Sequence, residues 1–216
     1  VVDPQNDFIS GSLPVPGGEQ VAHRLAELMT HPQNGYDHIV TTQDWHHDPG
    51  THWADEPDYV DTWPRHGAAG SWGARLHPAV ENLPVDERFY KGHYSPGYSG
   101  FEGITQGGKG LHDWLKEHGV NDIDVAGLAT DKCVYNTAKD ASKLGIHTRV
   151  LPHYSSPVTP EGGAVALDDL HNMGVEIVNG PQVPSADTTP SAAEQAPRRS
   201  GRQILRQSEQ FGVPIL

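Results

Sequence analysis

Apolar and polar positions along this chain follow two rhythms. Residues 19–29 place Val21, Leu25, Leu28 and Met29 at i, i+4, i+7 and i+8, the spacing of one helix face. Residues 38–42 (H-I-V-T-T) form a short β-branched run, the signature of a strand, and residues 87–91 give a second strand. Farther on, strands are predicted over 123–126, 146–151 and 175–178. Helices are predicted between them: from the glycines at 107–110 through His118, over 133–144 and over 161–173. Gly119, Gly145 and Gly174 stop these helices in turn. Residues 1–3 read as the end of a buried strand. The chain opens on Val1 without an initiator methionine, and residues preceding Val1 are expected to complete that strand.

Strands alternating with helices imply βαβ units. The expected fold is α/β, with a mostly parallel central sheet, helices on both faces and a Rossmann-like three-layer arrangement. Such sheets bind ligands beyond the carboxyl ends of their strands. Asp3, Asp44, Lys91 and Cys133 each fall just after a predicted strand, so this topology gathers them on one edge. Residues 9–18 form a Gly/Pro-rich loop. Residues 44–84 hold tryptophans, histidines, glycines and prolines with little periodicity, and loops that long are uncommon unless functional. Composition changes after Asn179. The expected organisation is one domain over 1–179 and a Pro/Ser/Ala-rich tail over 180–216, with no fold of its own over 180–201. The few apolar residues of 203–216 would dock locally.

Charge and composition narrow the function. A net charge of -13 argues against a nucleic-acid-binding surface, which needs clustered Lys and Arg. No run approaches the roughly 20 apolar residues of a membrane helix, and no secretory signal is visible. A single cysteine cannot form an internal disulfide, which matches a reducing cytosol and a cytoplasmic location.

That cysteine carries the first chemistry. Cys133 lies in G-L-A-T-D-K-C-V, between a predicted strand and a predicted helix. At a helix N-terminus the dipole and free N–H groups favour thiolate, moving a cysteine pKa from about 8.5 toward roughly 3.5–7.5. A lone cysteine is otherwise most often a small buried core residue. Asp3 would serve as proton acceptor for the thiol, and Lys91 would stabilise an anion beside it. Singly, Asp3 also reads as a strand-end turn residue and Lys91 as a solvated lysine. A second constellation is D-W-H-H-D-P-G-T-H followed by W-P-R-H. Asp44 and His46, two apart, point the same way at a strand end, while His47 faces the other way and is excluded. With His52 and His66 they offer one carboxylate and three imidazoles, a set suited to one divalent ion such as Zn, Fe or Mn. By spacing alone, a polar His-rich loop is an equal reading.

D-P-Q-N-D-F, D-W-H-x5-H, W-P-x-H, F-Y-K-G-x-Y-S-x-G-Y-S-G-F-E-G and G-x-A-T-D-x-C-V occur in that order. Together they resemble the nicotinamidase/pyrazinamidase group of isochorismatase-like cysteine hydrolases, over residues 1 to about 179. The resemblance implies the isochorismatase-like fold and amide hydrolysis through a thioester, nicotinamide or pyrazinamide giving the carboxylate and ammonia. It implies Cys133 as nucleophile, Asp3 as general base, Lys91 as third catalytic member, and Asp44, His46, His52 and His66 as metal ligands. It makes Phe8, Trp63 and Tyr98 walls for the pyridine ring. The backbone N–H groups of Ala129 and Cys133 become the oxyanion hole, beside a cis peptide at Leu128–Ala129. Its partners are a small-molecule substrate and, as an open question, further copies of itself, with no nucleic acid and no membrane. A related hydrolase acting on another amide or a carbamoyl group, or a non-catalytic metal- or small-molecule-binding relative, are the alternatives. The chain departs from the pattern at Lys132, which either points into the pocket and tunes the thiol or points out to solvent, and in its tail.

Overall fold

The computed structural model describes residues 1–181. The expectations for the tail beyond them, including the docking of 203–216, lie outside the described residues. In chain order the elements are α1 (Asn6–Ile9), α2 (Gly18–Thr30), β1 (Val40–Asp44), α3 (Pro78–Glu81), β2 (Glu87–Lys91), α4 (Leu111–Glu117), β3 (Asp122–Leu128), α5 (Tyr135–Lys143), β4 (His147–Ser156), α6 (Pro160–Asn172) and β5 (Glu176–Ile177).

Every ladder is parallel: β1 with β2, β3 with β4, and β4 with β5. Residues 1–3 join the two groups. Val2 bridges Thr42 on one side and Gly127 on the other. Its N–H donates to the Ala126 carbonyl at 2.7 Å, and its carbonyl accepts from Leu128 N–H at 2.9 Å. The order across the sheet is therefore β2, β1, residues 1–3, β3, β4, β5. This seam needs glycine at position 127. Its φ is +131°, and a Cβ there would stand 2.0 Å from the Val2 carbonyl oxygen.

Side chains alternate across the sheet, so neighbours in one strand enter different cores. Ala126, Leu128 and Leu151 pack with Val21, Leu25 and Leu28 of α2. Val2, Val125 and Val150 pack on the other side with Val134, Ala138 of α5 and Leu170 of α6. A third cluster seats Leu111, Trp114 and Leu115 of α4 on Phe89. Burying such aliphatic side chains contributes roughly 1.5–3 kcal/mol each. The expected three-layer α/β fold is thus present.

The boundaries differ where local contacts override the pattern. β1 begins at Val40 rather than His38, because Asp86 takes the neighbouring backbone: its carboxylate accepts the Ile39 N–H at 2.7 Å. The helix expected from Cys133 begins at Tyr135, after a π-turn over Thr130–Val134 in which Val134 N–H reaches the Ala129 carbonyl at 3.1 Å. α1 and α3, of 4 residues each, are too short to show a helical period in the sequence.

Gly127→Ala should therefore cost far more stability than Gly145→Ala. Gly145 also has positive φ (+77°), but open space surrounds the added Cβ. The Gly145 change should cost roughly 1–2 kcal/mol, that of a left-handed L-residue, and Gly127→Ala well above that. Denaturant midpoints of the two variants provide the check, and equal losses would contradict the tight seam.

Candidate active site

Three strand ends converge on one buried ammonium. Lys91, the last residue of β2, is 0% exposed. An ammonium out of water must be paired. Its Nζ lies 2.9 Å from Asp3 Oδ2, donates to Asp44 Oδ1 and to the Gly97 carbonyl at 2.8 Å, and lies 3.6 Å from Cys133 Sγ. Asp3 has φ of 47°, a left-handed conformation rare for a non-glycine residue, and Thr42 Oγ1 donates to its Oδ1 at 2.6 Å.

Burial and charge set the protonation states. Burial disfavours the Lys91 ammonium, but Asp3, Asp44 and Cys133 outweigh it and hold the lysine well above its ordinary pKa. Burial likewise pushes the Asp44 carboxyl up, but Lys91 and His46 overcome it and hold Asp44 below the usual carboxylate range. At Asp3 burial wins, helped by the charge of Asp44, and the carboxyl is raised despite Lys91 and Thr42. Burial also pushes the Cys133 thiol well up, with Asp3 and Asp44 adding to it against Lys91. The depressed thiol pKa expected from a helix terminus is therefore corrected. Cys133 sits in a π-turn, buried and beside two carboxylates, and desolvation outweighs any helix dipole. The resting thiol keeps its proton and needs an acceptor.

The histidines form the second half. His46, His52 and His66 are buried, with one ring nitrogen of each within 4.8 Å of the others. His46 Nδ1 faces the Gly92 carbonyl, and His66 Nδ1 faces the Pro64 carbonyl at 2.7 Å. A ring nitrogen facing a carbonyl must donate to it, so in each ring Nε2 is the nitrogen left to act as a ligand. Gly92, with φ of +69°, admits this approach: a Cβ would stand 2.5 Å from His46 Cε1. Asp44 Oδ2 lies 3.6 Å from His46 Nε2 and 3.8 Å from His66 Nε2. His46 Nε2 and His52 Nδ1 are buried without a hydrogen-bond partner. Burial, with His66 and His46 adding to it, holds His52 down at about 4, and burial lowers His66 as well. Three clustered ring nitrogens, two buried nitrogens without a hydrogen-bond partner and one ionised carboxylate beside them fit a divalent cation. His47 turns away and stacks on His93 at 5.6 Å.

Both halves open on a cavity of about 50 Å³ lined by Phe8, Trp63, Tyr98, Ala129, Lys132 and Cys133, with Asp44, His52 and His66. Trp63 Nε1 donates to Tyr98 Oη at 2.9 Å, and Phe8 meets the His66 ring at 5.5 Å. The Leu128–Ala129 peptide is cis. Lys132 takes neither orientation in pure form: its ammonium stands 5.0 Å from the centre of the Trp63 ring and 3.5 Å from the Val60 carbonyl, meeting the pocket wall rather than the thiol. A cavity of about 130 Å³ near α2 and α4 holds none of these side chains. All the residues singled out in the sequence meet here. Thr42, the Gly97 carbonyl, and Leu13, Val15 and Val158 of the lining were missed. Gly97 lies within a quoted motif, but nothing in the motif shows its carbonyl meeting Lys91, and no motif marks the others, which are identified only by what folds against them.

Residues 1–182 match the isochorismatase domain model, and the chain belongs to that family. It is 41% identical over 179 residues to the nicotinamidase/pyrazinamidase of Mycobacterium tuberculosis, covering 82% of this chain and 96% of the relative. It is 32% identical to the nicotinamidase of Escherichia coli, covering 82% and 92%. The pyrazinamidase of Pyrococcus horikoshii in complex with zinc superposes with a TM-score of 0.70 at 33% identity, covering 82% of this chain and 96% of that one. The yeast nicotinamidase bound to nicotinaldehyde gives a TM-score of 0.70 at 26% identity, covering 83% and 97%.

Lys91→Met would leave Asp3 and Asp44 facing each other without a cation. Removing one partner of a buried pair costs about 3–5 kcal/mol. Chemical denaturation should show that loss, and an unchanged midpoint would mean the carboxylates do not depend on the lysine.

Proposed function

We propose that this protein is a metal-dependent cysteine amidase that hydrolyses nicotinamide, and also pyrazinamide, to the carboxylate and ammonia. The observation that carries this reading is the contact of Asp3, Lys91 and Cys133 beside a cavity that also reaches Asp44, His52 and His66. The identity to curated nicotinamidases supports the same chemistry.

Asp3, with its raised carboxyl pKa, takes the proton of the Cys133 thiol as Sγ attacks the amide carbon. Lys91 stays charged and holds Asp3 in place. The N–H groups of Ala129 and Cys133 receive the oxyanion, where one such donor is typically worth about 2.7–4 kcal/mol. Asp3 returns its proton to the departing nitrogen, and ammonia leaves a thioester on Cys133. Asp3 then accepts a proton from water as that water attacks the thioester, and the carboxylate product leaves with the thiol restored. Phe8, Trp63 and Tyr98 orient the ring. Asp44, His46, His52 and His66 would hold a divalent ion, Zn, Fe or Mn, which when bound supplies a Lewis acid for the pyridine nitrogen.

Among the described residues no helix is long and apolar enough to cross a membrane. A cytosolic setting, in which the enzyme acts on free small molecules in NAD salvage, agrees with the single cysteine. Residues 1–179 form the catalytic domain in this reading, with 180–216 dispensable for chemistry. A chain ended after Asn179 should keep its kcat, and a large loss would assign the tail to the site or to a subunit contact.

Ammonia release by purified protein tests the function. Wild type should turn over nicotinamide and lose activity with chelator, and Cys133→Ala should be inactive while still folded. Turnover of other amides with none of nicotinamide would move the protein to a different branch of the family, and an active Cys133→Ala would remove the thiol from the mechanism.

A further inference from the structure

We infer that Gln5 is a positioning residue for Asp44, holding the metal-ligand carboxylate in register where the first strand leaves the sheet; this rests on the metal site proposed above. Residues 1–3 pair with β1 only as far as Asp3, whose N–H donates to the Thr42 carbonyl at 3.2 Å. The chain then turns through the left-handed Asp3, and Gln5 N–H folds back onto the Asp3 carbonyl at 2.8 Å. No backbone from the first strand continues beside Asp44. On the other side of β1 the ladder to β2 passes it over, with Trp45 N–H donating to the Lys91 carbonyl at 2.8 Å.

The Gln5 side chain takes the place of the missing strand. Its Oε1 accepts the Asp44 N–H at 2.8 Å, and its Nε2 donates to the Asp44 carbonyl at 2.9 Å. The same Nε2 donates to the Ala74 carbonyl at 2.8 Å, and the residue is 0% exposed. A primary amide offers the donor and acceptor of a peptide group, so glutamine completes the backbone of Asp44 as a neighbouring strand would. Glutamate lacks the donor, and methionine lacks both. Asp44 is also the one side chain shared by the two halves of the site, with one oxygen on Lys91 and the other facing His46 and His66. An error in its backbone is passed to the metal ligands directly.

Gln43 supplies the control. It is buried, its Nε2 donates to the same Ala74 carbonyl at 2.9 Å, and its Oε1 has no partner. It makes none of the hydrogen bonds that Gln5 makes to the Asp44 backbone. A merely structural role for a buried amide would make the two residues equivalent.

The test titrates metal-free wild type, Gln5→Met, Gln5→Glu and Gln43→Met with Co²⁺, reading the visible absorption of the bound ion, and records a denaturant midpoint for each. Gln5→Met and Gln5→Glu should weaken Co²⁺ binding about 10- to 100-fold, the usual effect of losing a group that orients a metal ligand. Gln43→Met should bind as wild type does, even if its midpoint falls. Gln5→Glu, similar in shape, keeps the comparison alive if Gln5→Met does not fold. Unchanged affinity in a folded Gln5 variant, or equal losses in the Gln5 and Gln43 variants, overturns the inference while leaving the metal site standing. Absence of Co²⁺ binding by wild type overturns the metal reading and this inference with it.

Discussion

One ammonium group organises this molecule. Lys91 is out of contact with water; it meets three groups that are anions or can become anions, Asp3, Asp44 and the Cys133 thiol, and one neutral acceptor, the Gly97 carbonyl oxygen. A lone buried cation would neutralise or drag the chain to the surface. Two carboxylates keep it charged, and it keeps them together. The fold supplies the geometry by ending parallel strands at one level: Asp44 stands in register with Lys91, and residues 1–3 lie beside Thr42. The parallel sheet is thus more than a scaffold, because its register brings three strand-end charges within contact.

The sharing of Asp44 joins chemistry to binding. One oxygen serves Lys91 and the other faces the histidines, so the half around the thiol and the half that would hold a cation cannot shift independently. The charges also divide the labour. Asp44 is held ionised, as a metal ligand would have to be, whereas Asp3 is raised toward the range in which a carboxyl can take up and return a proton. Both are buried and both contact the same lysine; the histidines beside Asp44 and the charge of Asp44 on Asp3 separate them. Coupled groups of this kind titrate as a set, so pH–rate profiles belong to the cluster.

Much of this was legible in the sequence. Strand-then-helix alternation identifies the α/β fold, and strand-end Asp3, Asp44, Lys91 and Cys133 do gather on one edge. Spacing separates His46 from His47, because residues two apart share a side and adjacent ones do not. The thiol's direction of shift was not legible. A motif shows that Cys133 follows a strand but not how deeply it is buried, and desolvation depends on depth. Gln5 lies in the D-P-Q-N-D-F segment, but its role was not legible for a related reason: its partners are backbone atoms of residues 44 and 74, and backbone carries no sequence signature. Lys132 shows the same limit, since its contact with Trp63 depends on how the long loop returns over the pocket.

The most direct measurement is the mass of the protein during turnover. Enzyme mixed with nicotinamide, quenched in acid within the first turnovers and digested should carry a nicotinoyl group on the peptide containing Cys133, lost when the quench is delayed until substrate is exhausted. Continued ammonia release by protein whose only thiol has been fully alkylated, with no acylated peptide at any time, would contradict a cysteine amidase built on Asp3, Lys91 and Cys133.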